Sequence, residues 1–192
     1  MRALFILFGL ILASSAQGQN AYFVDKKGQK TIMRDDAIEV ILIDKRLSYK
    51  QVGKTWNKYI QYKDLDYAKW GNYIFKVVRV KGKTERGFFL HAETKTHKLL
   101  SAAVTITSTR GSGFSSSYMI YEVLVVDSNY KILEDLKFKS IKSDAGDREQ
   151  IGPLVRRYFS DCEGLIKQLD QTGESESEIK DFLEIPEYIN CQ

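Results

Sequence analysis

The chain of 192 residues is poor in the residue types that usually advertise chemistry, with two histidines, two cysteines and two prolines. With His91 and His97 as its only histidines, the helical H-E-x-x-H zinc arrangement is absent. Cys162 and Cys191 are too far apart to make a C-x-x-C, which argues against a thiol-disulfide oxidoreductase. No serine stands in a G-x-S-x-G frame, so a serine hydrolase of that type has little support. Asp144 and Asp147 around Gly146 lack calcium-loop spacing, and the adjacent Asp35 and Asp36 would point to opposite faces of a strand. No proline occurs between positions 19 and 152, so turns there rest on Gly, Asn, Asp and Lys. No stretch approaches the roughly 20 apolar residues of a membrane-spanning helix.

The longest apolar run is at the start. Arg2 supplies a short basic region, residues 3–13 are all apolar or Gly, and small residues follow at Ser14, Ser15, Ala16 and Gly18. That order is the pattern of a secretory signal peptide over 1–18, with cleavage after Ala16 or Gly18. A buried N-terminal strand or helix is the competing reading. No Cys follows the run, so nothing at a new N-terminus would take a lipid. The expectation is a soluble exported protein, periplasmic or secreted, whose residues 19–192 form one domain.

Charge is divided along the chain. From Asp161 onward nine acidic residues face two basic ones, a balance of −7, while residues 19–160 carry +10. Two solvated surfaces account for this; a polyanion-binding body is the sharper alternative, although no nucleic-acid motif accompanies it.

Up to residue 144 short β-type runs alternate with turns. Positions 22–24 and 30–34 flank Asp25-Lys26-Lys27-Gly28, which reads as a hairpin. In residues 100–107, Leu100, Ala102, Val104 and Ile106 alternate with Ser101, Ala103, Thr105 and Thr107, as a strand with one buried face does. Asp127-Ser128-Asn129 marks another turn. Residues 145–192 read as helical: Pro153 suits a first turn, Ser160-Asp161-Cys162-Glu163 a capping box, and 175–183 a third helix ended by Pro186. The predicted fold is α+β: about nine antiparallel strands, sandwiched or curled into a barrel-like sheet, followed by two or three helices.

Four constellations merit attention. In an oxidising compartment an isolated pair such as Cys162 and Cys191 usually bonds; two free thiols are the competing reading, and a nucleophile at Cys162 near a helix start has no obvious base beside it in sequence. His91 and Glu93, two apart on a strand, with His97 just beyond, form a speculative metal trio; residues at a hairpin end are the plainer account. The 108–117 segment, STRGSGFSSS, offers Arg110 and glycine amides but leads from strand to strand, so it reads as a hairpin loop rather than a phosphate cradle. Between 56 and 75, Trp56, Tyr59, Tyr62, Tyr67, Trp70, Tyr73 and Phe75 interleave with Lys58, Lys63, Lys69 and Lys76. These aromatics suit a ligand surface, or cross-strand pairs with lysines on the wet face.

The signal ending in small residues and Gln, the first hairpin, Tyr62-Lys63-Asp64-Leu65, and the pieces Tyr158-Phe159-Ser160-Asp161-Cys162 and Tyr188-Ile189-Asn190-Cys191 together resemble uncharacterised secreted proteins of the Bacteroidetes type. The resemblance implies an exported protein without a known activity and strengthens the Cys162–Cys191 pairing. The functional expectation is a non-enzymatic protein binding a ligand or partner through the 56–75 region and the 108–117 loop, with no cofactor. A hydrolase built around His91 and Glu93, or an accessory component of a secretion or surface-assembly system, are the alternatives.

Overall fold

The computed structural model describes residues 21–80, 82, 84–109, 115–139, 149–171, 182–183 and 187–191. The strands are β1 (Tyr22–Asp25), β2 (Lys30–Ile41), β3 (Arg46–Gln51), β4 (Asn57–Gln61), β5 (Leu65–Trp70), β6 (Tyr73–Val80), β7 (Thr84–Glu93), β8 (His97–Thr109), β9 (Ser115–Asp127) and β10 (Ile132–Lys139). Helices α1 (Ile151–Phe159) and α2 (Glu163–Gln171) follow, and then the short β11 (Ile189–Asn190). The spatial order is β10-β9-β8-β7-β6-β5-β1-β2-β3-β4, and each neighbouring pair is antiparallel. Among the described residues β4 and β10 form its two ends, so the sheet is not closed. β11 joins off this path, parallel to the end of β7.

The first hairpin forms where the sequence places it. Gly28 adopts φ +80°, its N–H donates to Asp25 O, and Asp25 Oδ1 accepts from the N–H groups of Lys27 and Gln29. The expected 30–34 run continues to Ile41 as one strand, β2, whose pairing changes partner along its length. Residues 30–32 bond to β1, and 38–41 bond to β3, with a register shift after Met33. That irregularity carries the second half of β2 over the sheet. Met33, Leu47 and Tyr49 therefore share one core with Phe75, Val77 and Phe89 of β6 and β7.

The central strands bury both faces. In β8 the expectation of a single buried face fails, because Leu99 and Ser101 are as buried as Leu100 and Ala102. Leu99 packs with Val123, Val125, Phe138 and the apolar sides of α1 and α2. Leu100 and Ala102 pack on the other face with Val78, Phe88, Leu90 and Leu124. Pro153 lies in the first turn of α1. Ser160 bonds Asp161 rather than capping α2, and the first turn of α2 instead closes from Ile166 N–H onto Cys162 O. Of the expected third helix only Phe182 and Leu183 are described; both are helical and buried.

Cys162 and Cys191 form a disulfide. It fastens β11 to the start of α2, where Cys191 N–H donates to Glu93 O and Tyr188 N–H to Asn72 O. The expected hairpin loop at 108–117 is shorter than its composition suggests, since Ser108 pairs with Ser116 and Thr109 with Ser115; Arg110 lies outside the described residues.

Candidate functional site

The aromatic run between 56 and 75 is dealt out to four places. Trp56 and Tyr59, 56% and 63% exposed, lie at the β4 end of the sheet beneath Lys54 and Arg46. Tyr62 is fully buried, and its ring packs on Phe75 above Gly87, where a β-carbon would collide with both rings. Its hydroxyl has no partner, and burial raises its pKa. Tyr67 pairs across the strands with Lys76, whose ammonium stands 5.5 Å over the ring and bonds Asp66 at 2.6 Å. Alternation turns Trp70 and Tyr73 to the other face.

These last two converge on a cavity of about 490 Å³. Trp70 and Tyr73 face each other across the β5–β6 turn, in which Gly71 takes φ +50°. With Phe89 they make one aromatic wall. Ala103 of β8 and Met119 of β9 form a second wall. The third is the curled half of β2, where consecutive residues from Ile38 to Val40, together with Leu42, border the space. Successive strand residues point to opposite faces, so a wall of consecutive residues presents the strand edge-on. Among the described residues, that stretch of β2 is paired only with β3. The lining thus combines an apolar and aromatic surface with a strand edge, and among the described residues Glu39 is its one charged member. The volume falls in the range of roughly 300–1,000 Å³ typical of small-ligand sites.

Sequence reasoning found Trp70 and Tyr73 but missed Phe89, Ala103 and Met119. Each belongs to a recognisable strand, yet no local signal marks them. They share one face of neighbouring strands through the ladder registers, and β2 lies over that face.

The His91, Glu93 and His97 trio is not assembled. A β-bulge between Leu90 and Ala92 leaves His91 as the extra residue in the β7–β8 ladder. His91 thereby stays on the side of Ala92 and Leu99, stacking near Phe182, while Glu93 faces the opposite side. There Glu93 holds Lys98 at 2.5 Å and the hydroxyl of Tyr188 at 3.4 Å. His97 packs on Tyr158, and its Nδ1 bonds Thr96 Oγ1. The expectation that His91 and Glu93 share a face is corrected by that one inserted residue. Among the described residues no three His, Cys, Asp or Glu side chains are grouped to hold a metal ion.

His91 instead meets Ser101, with Nε2 2.6 Å from Oγ. The pair looks like a nucleophile and base but is wired the other way. Ser101 gives its single proton to Leu183 O at 2.7 Å, so the imidazole donates to Oγ and does not accept from it. Both residues are essentially without solvent contact, and burial lowers His91 to a pKa of about 3. This neutral latch holds the segment at Phe182 and Leu183 onto the sheet.

A second polar pair, with a buried carboxylate and a half-buried guanidinium, stands on the opposite face. Arg86 of β7 forks onto the carboxylate of Glu122 in β9, and burial raises the pKa of Glu122 against the pull of the guanidinium. Lys76 and Lys98 both lie against Tyr130, which adopts φ +63° in the β9–β10 turn.

Comparison with family models, with curated proteins and with solved structures finds no match to this chain. Among the described residues no helix is long and apolar enough to cross a membrane.

Proposed function

We propose that this chain is an exported, non-enzymatic binding protein that takes an apolar or aromatic ligand into the cavity between β2 and the β5–β9 part of the sheet. The carrying observation is the composition of the wall: Trp70, Tyr73 and Phe89 opposite Ala103 and Met119, closed by the edge of β2. Export is supported by the signal-like residues 1–18, and the Cys162–Cys191 disulfide accords with an oxidising compartment. The latch geometry of His91 and Ser101 weighs against the hydrolase reading, since the serine is already committed as a donor and buried away from any substrate.

Titration with the uncharged fluorophore N-phenyl-1-naphthylamine tests the cavity. The expected result is saturable binding to the wild type and its loss in Ala103→Phe, which fills the space from β8. Absence of saturable binding, or binding indifferent to Ala103→Phe in a variant that still unfolds cooperatively, would overturn the reading.

A further inference from the structure

The rings in the cavity wall differ from the other partly exposed rings of the molecule. Lys30, Lys54, Arg46 and Lys139 lie over Tyr22, Trp56, Tyr59 and Tyr118, and Lys76 and Lys98 lie over Tyr67 and Tyr130. Tyr158 and Tyr188 direct their hydroxyls to Glu134 and Glu93. Among the described residues only Trp70 and Tyr73 are partly exposed Trp or Tyr rings with neither kind of partner. Their centroids are 6.1 Å apart at 42°, and Phe89 stands edge-on to Trp70 at 6.0 Å and 71°.

An aromatic face is electron-rich, and a cation placed on it is attracted by the ring quadrupole, most strongly where water is excluded. In a chain of 29 basic residues, the described lining of this cavity contains no Lys or Arg. Its one ionisable acid is Glu39, which lies at the border of the space and forms no ion pair among the described residues. Among the described residues the thioether of Met119 and the edge of β2 away from β3 add to a wall without positive charge.

From this we infer that the cavity selects organic cations, namely alkylated ammonium groups carrying an apolar chain, with the ammonium against Trp70 and Tyr73 and the chain towards Met119 and Leu42. The inference rests on the proposed binding cavity and narrows its ligand class. A fatty-acid anion would find no counter-charge in the wall, and a plain apolar ligand would leave the ring faces unused.

The test uses three octyl compounds with one tail and different heads, each below its micelle-forming concentration: octyltrimethylammonium, octan-1-ol and octyl sulfate. Calorimetric titration should rank octyltrimethylammonium roughly tenfold or more ahead of the other two. Tyr73→Leu, which keeps the wall apolar but removes a ring, should shrink that gap while sparing octan-1-ol. Equal or tighter binding of octan-1-ol or octyl sulfate to the wild type would overturn the cation preference yet leave the apolar cavity standing. A cation preference unchanged in Tyr73→Leu would overturn the assignment to these rings. Failure of all three compounds to bind would overturn both the preference and the cavity reading.

Discussion

At the scale of single residues, the latch at His91 makes the clearest physical demand. Its Nε2–H serves Ser101 Oγ, its Nδ1 has no partner, and the ring is shut away from solvent. A proton there would be a buried charge, which explains a pKa near 3 against the ordinary 6.5. In the unfolded chain the imidazole binds a proton below about pH 6.5, whereas in the fold it does not until about pH 3. Stability is therefore complete above pH 6.5 and falls as the pH drops through that window, by roughly 1.4 kcal/mol per pH unit from this group alone. Urea unfolding between pH 7 and pH 4 should show that slope. His91→Gln, which keeps an N–H donor for Ser101 and cannot titrate, should be less steep by about that amount. An identical slope in the variant would mean that His91 does not set it.

Elements show why strands were unevenly legible. β3, with Leu47 and Tyr49 buried between Arg46, Ser48 and Lys50, alternates properly but offers only two apolar positions, too few to mark a strand by periodicity. β5 is hard to read from sequence for a different reason. The register slips between Val24 and Asp25, so the buried positions Leu65 and Ala68 stand three apart and period-2 alternation disappears. The bulge at His91 did the same to the metal trio, because one inserted residue moves every later side chain to the other face. Gly87 is the converse, a residue unremarkable in sequence that sets how closely layers approach. A β-carbon there would come within 2.8 Å of the Tyr62 ring and fall on the tip of Phe75, and both rings are fully buried. Gly87→Ala should cost about 1–3 kcal/mol, as overpacking of a filled core does, read as a lower urea midpoint at unchanged m value. A neutral substitution would show that the rings can yield.

For the whole molecule, the curl of the sheet and the disulfide determine what the chain can present. The curl brings β2 over Trp70, Tyr73 and Phe89 and so creates the cavity; the disulfide holds the last described strand beside β7. With the cysteines at a sequence separation of 29, the chain-entropy relation puts the cross-link at about 3–4 kcal/mol. In the double variant Cys162→Ala/Cys191→Ala, overall stability should fall by about that much, and amide exchange should rise first at Ile189 and Asn190. Unchanged exchange at β11 would show that its backbone bonds to β7 suffice without the cross-link.

The sequence by itself determined the β-rich body and helical end, the first hairpin, the turn at Asp127 and the cysteine pair. Each rests on local periodicity, on turn chemistry carried by one or two residues, or on there being only two thiols to join. Only the tertiary structure decided which aromatics share a site, which face His91 and Glu93 take, and that Ser101 is a donor rather than a nucleophile. These depend on one-residue register shifts in β5 and β7 and on the larger shift and bend of β2. A ladder slip of one residue leaves composition and periodicity almost unaltered, yet it exchanges the two faces of a sheet.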